Sequence, residues 1–142
     1  MVTLLKRNFL GHLAFISKGK PLCTPITYYF DDEDNALISY SAEGFKMDAM
    51  RENGLISLQV EEIESNSNWL SVLANGTFEE LQGSKAKAQL HKFTQGVKNI
   101  ITKKGKSHPE FINEFSSKSP SKDVPIVYRI KINEITGKRK DT

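Results

Sequence analysis

The sequence predicts a mainly β fold with flanking helices, in which six antiparallel strands close into a small barrel. Three observations carry this. Apolar residues alternate with period two through four separate segments, while other segments switch to helical spacing. The strands of the first half are joined by short polar turns, as antiparallel neighbours are. The chain has 142 residues, 38% of them hydrophobic, which is enough for one core.

Each element has its own warrant. Residues 13–17 (Leu-Ala-Phe-Ile-Ser) form a short apolar run, closed by Lys18-Gly19-Lys20-Pro21. Residues 22–30 alternate, with Leu22, Thr24, Ile26, Tyr28 and Phe30 on one face and Cys23, Pro25, Thr27 and Tyr29 on the other. Pro25 interrupts a strand that otherwise reads as central. It has no N–H for a ladder, so the backbone is expected to bulge there or to turn towards another group. A polar loop at 31–35 leads to a third strand at 36–41. The period then changes: residues 43–53 place Phe45 and Ala49, then Met47 and Met50, at helical spacings, with Ser41 as the cap and Asn53-Gly54 as the stop. Residues 55–60 alternate again as a fourth strand. After a polar loop at 61–68, a long fifth strand at 69–81 sets Leu70, Val72, Ala74, Gly76 and Phe78 on one face. Gly76 in mid-strand marks a bulge or corner.

Residues 84–102 carry Ala86, Leu90, Phe93, Val97 and Ile100/Ile101 at helical spacing. Residues 109–115 read as a second short helix, so a helical insertion at about 84–116 is expected within one domain spanning 1–142. A loop at 116–123 precedes the sixth strand, in which Ile126, Tyr128, Ile130 and Ile132 alternate and which ends at 135–137.

Charge and composition exclude several function classes. The net charge is +3, from 20 basic and 17 acidic residues. The excess lies in a Lys-rich segment (85–106) and a tail (Lys138-Arg139-Lys140), and Phe93 is the only aromatic inside the first. Nucleic-acid faces interleave aromatics with their cations, so these lysines read as a solvated helix face and a frayed tail, with no nucleic-acid partner. No apolar run approaches the ~20 residues of a bilayer span, and the opening residues lack the pattern of a secretion signal. With one cysteine, Cys23, an internal disulfide is excluded. A cytoplasmic protein with no membrane association is expected. His12, His91 and His108 form no metal-binding pair, and neither a Gly-x-Ser-x-Gly elbow nor a nucleotide glycine motif is present.

One segment stands out: Tyr40-Ser41-Ala42-Glu43-Gly44-Phe45-Lys46-Met47. A strand, a turn and a helix start bring a hydroxyl, a glycine and a lysine within six residues. Helix starts present free N–H groups and a positive dipole end, which suits a phosphate. Lys46 would neutralise its charge, Ser41 would donate a hydroxyl, and Gly44 would allow close approach. The alternative is a capped helix with a surface lysine.

Taken together, Pro21 to Tyr29, Ile38 to Lys46, Met50-Arg-Glu-Asn53, Trp69-Leu-Ser-Val72 and Ile135-Thr-Gly-Lys138 resemble the FMN-binding split-barrel superfamily of pyridoxamine 5'-phosphate oxidase-like proteins, most closely the nitroimidazole-resistance-like branch. The resemblance implies a six-stranded split barrel that forms a homodimer, with FMN, or alternatively FAD, in a groove at the dimer interface. It implies that Thr24, Pro25, Ile26, Thr27 and Tyr28 run along the flavin ring. It assigns Tyr40, Ser41, Lys46 and Met47 to the ribityl phosphate, and Trp69 and Ser71 to the groove from the same or the partner subunit. Two departures bear on activity. Pyridoxamine phosphate oxidases carry Arg-Lys where this chain has Phe45-Lys46 and end in a Trp- and Arg-containing motif, which argues against pyridoxal phosphate synthesis. The nitroimidazole branch often has His at the position of Tyr40. The expectation is a flavin-dependent oxidoreductase acting on a small organic molecule, with Tyr40 at the mouth of the groove as the substrate's hydrogen-bond donor. The alternative is a non-catalytic module that holds flavin or haem in the same groove.

Overall fold

A computed structural model describes residues 1–105 and 125–141. The short helix expected at 109–115 and the loop at 116–123 lie outside the described residues. The elements run α1 (Val2–Arg7), β1 (Leu10–Ser17), β2 (Lys20–Thr27), β3 (Tyr29–Asp31), β4 (Ala36–Ser41), α2 (Phe45–Glu52), β5 (Leu55–Ser65), β6 (Asn68–Glu80), α3 (Gly83–Lys103) and β7 (Ile126–Lys140). All strands join one antiparallel sheet in the order β2-β1-β5-β6-β7-β4-β3.

The sheet has seven strands and not six because the strand expected at 22–30 is two. Tyr28 separates them and donates its N–H to the Phe9 carbonyl at 2.8 Å. β2 and β3 are therefore the two edges of the sheet, held one residue apart by chain continuity. Ser39 Oγ of β4, the neighbour of β3, donates to the Thr27 carbonyl of β2 at 2.7 Å and ties the two sides of the seam together. The sheet curls into a barrel split along this seam. Pro25 consequently sits in an edge strand, where a missing N–H is tolerated.

Two clusters fill the fold. The interior cluster joins Leu13, Ile26, Tyr28, Leu37, Leu58, Val72 and Tyr128 to Leu4 and Leu5 of α1 and to Met47 and Met50 of α2. Each such side chain contributes about 1.5–3 kcal/mol by leaving water. The second cluster seats Phe93, Val97 and Ile101 of α3 against Ile38 and Val127 on the opposite face of β4 and β7. Gly76 stands at a register shift between β6 and β7, as the bulge expectation required. β5 runs on through 61–65, read from sequence as loop, and β7 extends past 137 to Lys140, because each finds a partner in β6. No described helix is long and apolar enough to cross a membrane.

Candidate functional site

The turn from β4 into α2 is the centre of the candidate site. α2 begins at Gly44 without a side-chain cap, so its first N–H groups have no partner in the helix or from a capping side chain. Ser41 does not serve as that cap. Its side chain is buried and donates to the neighbouring Ala42 carbonyl at 3.0 Å. Lys46 is half-buried, and among the described residues its ammonium has neither a hydrogen bond nor an ion pair. Burial alone pulls its pKa below the ordinary lysine range. A half-buried cation with no counter-charge beside uncapped N–H groups is electrostatically incomplete, and an anion completes it. Met47 is fully buried in the interior cluster, which leaves only its backbone to face a ligand. Phe45, expected on the buried stripe of α2, is 62% exposed, its ring lying edge-on to Phe15 with centroids 6.3 Å apart.

The β2 segment meets β4, the strand that leads into this turn, through Ser39 and Thr27. Register with β1 puts Thr24 and Ile26 on the barrel side with Leu13 and Gly11, and Pro25 and Thr27 on the outer side with His12 and Leu10. Thr27 is buried, and its Oγ1 has no hydrogen-bond partner. Such orphaned hydroxyls are rare in proteins. As an edge strand, β2 also leaves backbone groups without a ladder partner on its free side. Tyr28 is a strut: its buried hydroxyl donates to the Leu5 carbonyl at 2.9 Å, and burial raises its pKa.

The structure does not gather every expected residue. Strand alternation puts Tyr40 and Ser41 on opposite faces. The Tyr40 ring lies edge-on to Phe93 of α3, at 5.4 Å and 86°, within the second cluster. It therefore faces α3 and not the barrel side on which Ser41 is buried. Trp69 and Ser71 lie far along the sheet from the turn. Ser41 pairs with Ile126 at one end of β7, whereas Trp69 pairs with Lys140 at the other. That strand of 15 residues spans roughly 45 Å along its length. Within one chain, the closest tie between the two expected segments is Ser39 Oγ, two residues before Ser41, on the Thr27 carbonyl, and Trp69 and Ser71 lie apart from both.

Two features of this region were not read from sequence. His12 Nε2 lies 3.2 Å from Glu61 Oε1 beside Pro25, in a cleft of about 370 Å³ that Phe9, Leu10 and Lys104 also line. Arg51 links Glu43 in the turn to Glu80 at the end of β6. The helical spacing of Asp48 and Arg51 was legible, but Glu80 comes to Arg51 only through the sheet.

A sequence model of the pyridoxamine 5'-phosphate oxidase family matches residues 1–139. Among curated proteins, one of Rhizobium meliloti (strain 1021), described as uncharacterised, is 40% identical over 72 residues; the match spans 51% of this chain and about half (46%) of that relative. Among solved structures, a FAD-binding protein from Mesorhizobium loti superposes with a TM-score of 0.75 at 25% identity, covering 99% of this chain and 91% of that one. A FAD- and haem-binding protein from Mycobacterium smegmatis has the same fold, with a TM-score of 0.70 at 16% identity, covering 98% of this chain and 69% of its own. The chain is a mainly β split barrel with flanking helices. It belongs to the pyridoxamine 5'-phosphate oxidase family.

Proposed function

We propose that the chain is an FMN-binding oxidoreductase that works as a homodimer on a small organic molecule in the cytoplasm. The observation that carries this reading is Lys46, a half-buried cation without a partner at an uncapped helix start. The residues present fit a flavin mononucleotide. Lys46 and the first N–H groups of α2 would hold the phosphate by charge-assisted hydrogen bonds. The free edge of β2 would offer backbone groups to polar atoms of the ring. FAD is the alternative cofactor, supported by the likeness to the FAD-binding Mesorhizobium loti protein.

A bound flavin supplies electron transfer between NAD(P)H or another reductant and the acceptor. The chain's part is to bind it, orient it and keep water from its buried side. Tyr40 has no reactive role in this reading, because its ring is committed to α3. Trp69 and Ser71 enter the groove only from a second copy, given their distance from the turn within one chain. In the non-catalytic alternative, haem would call on His12, whose Nε2 is already 3.2 Å from Glu61 on the outer face of the sheet.

Titration with FMN, FAD and riboflavin, followed by removal of excess ligand, tests the reading. Retained flavin absorbance is expected, with FMN bound more tightly than riboflavin. Lys46→Ala should remove most of that preference, a loss of roughly 1.5–3 kcal/mol towards FMN alone. Bleaching by NAD(P)H marks the enzyme; retained colour without bleaching marks the non-catalytic binder. No retained flavin at micromolar protein would exclude both.

A further inference from the structure

Little packing holds the turn that carries the proposed phosphate seat. Glu43, Gly44 and Phe45 are all exposed, and a Cβ placed on Gly44 would meet nothing within 4 Å. The turn is tied down by charge instead. Arg51, in the last turn of α2, donates from Nη1 to Glu43 Oε1 at 2.7 Å and from Nη2 to Glu43 Oε2 at 3.1 Å. Its Nε and Nη2 grip the Glu80 carboxylate at 2.8 and 3.2 Å, and Asp48 stands 3.6 Å from Nη1. Glu80 ends β6, and the next residue, Leu81, donates its N–H to the Val127 carbonyl of β7 at 2.9 Å. One planar guanidinium therefore refers the exposed turn to α2 and to the body of the sheet, a geometry that Lys cannot reproduce.

The position of Glu43 is informative because its sign is wrong for an anion seat. A carboxylate three residues from Lys46 repels a phosphate, so as a ligand-facing group it would only weaken binding. As the anchor of Arg51 it has a use. We infer that Glu43 and Arg51 form a clamp that fixes the turn, so that Lys46 and the first N–H groups of α2 stay aimed at the phosphate. Both are positioning residues. The inference rests on the flavin reading above.

Glu43→Gln decides it by sign. The substitution keeps the side-chain shape and removes a negative charge. If electrostatics alone mattered, FMN would bind more tightly. With the clamp lost, FMN should bind about two- to fivefold more weakly, the scale of an exposed charge pair, while riboflavin stays within about twofold because it has no phosphate to misplace. Arg51→Lys keeps the charge and loses the fork, and it should weaken FMN in the same way. An unchanged or tightened FMN affinity in Glu43→Gln overturns the clamp, as does an unchanged affinity in Arg51→Lys. Equal weakening of FMN and riboflavin overturns it too, since the residues would then act through the whole fold. Wild type and Lys46→Ala separate the two levels. If wild type shows no preference for FMN over riboflavin, the seat and the clamp fall together. If Lys46→Ala abolishes a preference that Glu43→Gln leaves intact, the clamp alone falls.

Discussion

Lys46 is a local conflict in the flavin-free protein, because burial disfavours its charge and nothing nearby repays that cost. Lys46→Met keeps the aliphatic stem and removes the conflict. It should stabilise the flavin-free protein by roughly 0.5–2 kcal/mol at neutral pH, as relief of a functional residue's strain commonly does. The sign with pH follows from the direction of the shift. The folded-state pKa lies below the unfolded value, so the penalty is present in full below the folded pKa. It vanishes as pH rises through the interval up to the ordinary 10.5. The melting advantage of Lys46→Met should therefore be largest near neutrality and shrink towards pH 10.5. Saturating FMN should reverse the order, since the phosphate repays the lysine. Melting curves of both proteins across that range, with and without FMN, check this; a less stable flavin-free Lys46→Met would mean the lysine has a structural partner, and the seat would lose its warrant. The placement of Lys46 at a helix start was legible in the sequence because strand, turn and helix start are contiguous there. The Glu43–Arg51–Glu80 clamp was not, because β6 reaches Arg51 only in the folded sheet. The surroundings of Tyr40 were hidden for a related reason: alternation separates it from Ser41, but that α3 covers its face is a tertiary fact.

At the scale of elements, two glycines show how backbone and side-chain neighbours differ in tolerance. A Cβ on Gly76 would fall 2.4 Å from the Lys131 carbonyl oxygen, a ladder atom that cannot move without unzipping β7 from β6. A Cβ on Gly96 would fall 2.2 Å from the Tyr29 ring, a half-buried side chain that borders a cleft together with Gly96. Alanine in the middle of α3 also gains about 1 kcal/mol of helix propensity over glycine. Gly76→Ala should therefore cost about 1–3 kcal/mol or more, and Gly96→Ala clearly less, as urea unfolding of the two variants would show. The reverse order would mean that Tyr29, and not the bulge, is the rigid partner. The bulge was legible because a glycine breaks a long alternating run. The break at Tyr28 was not, since Ile26, Tyr28 and Phe30 all remain buried across it and only their hydrogen-bond partners change. α1 escaped notice because six residues are too few for a period to emerge; it is held by tertiary contacts, the burial of Leu4 and Leu5 and the hydroxyl of Tyr28. The basic tail, read as frayed, is ordered by Trp69, Leu70 and Ser71 across from it.

At the scale of the whole molecule, the outer face of the sheet is incomplete. Residues directly opposite in antiparallel strands share a face, so the pairs His12–Gln59, Gln59–Leu73 and Leu73–Thr136 form one row across β1, β5, β6 and β7. Leu10 and Leu73 are each 36% exposed and Ile63 is 67% exposed on that face, beside the half-buried Trp69. Val127, expected to need the same cover, already has it from α3. An apolar face of this kind suits a second copy of the chain, as the proposed function requires. In that proposal Trp69 and Ser71 belong to the groove, and since they lie at the far end of β7 from the 41–46 turn of their own chain, a partner would have to bring them there. Leu73 lies within this face and takes no part in the proposed phosphate seat. Leu73→Glu should therefore place a charge in the proposed contact, convert the proposed dimer to a monomer in sedimentation, and lower FMN affinity by tenfold or more although no seat residue has changed. Riboflavin should weaken with it, in contrast to Lys46→Ala, because the partner's contribution falls on the ring and not on the phosphate. A Leu73→Glu monomer that holds FMN as tightly as wild type would make the groove complete within one chain, and the homodimer would lose its place in the function.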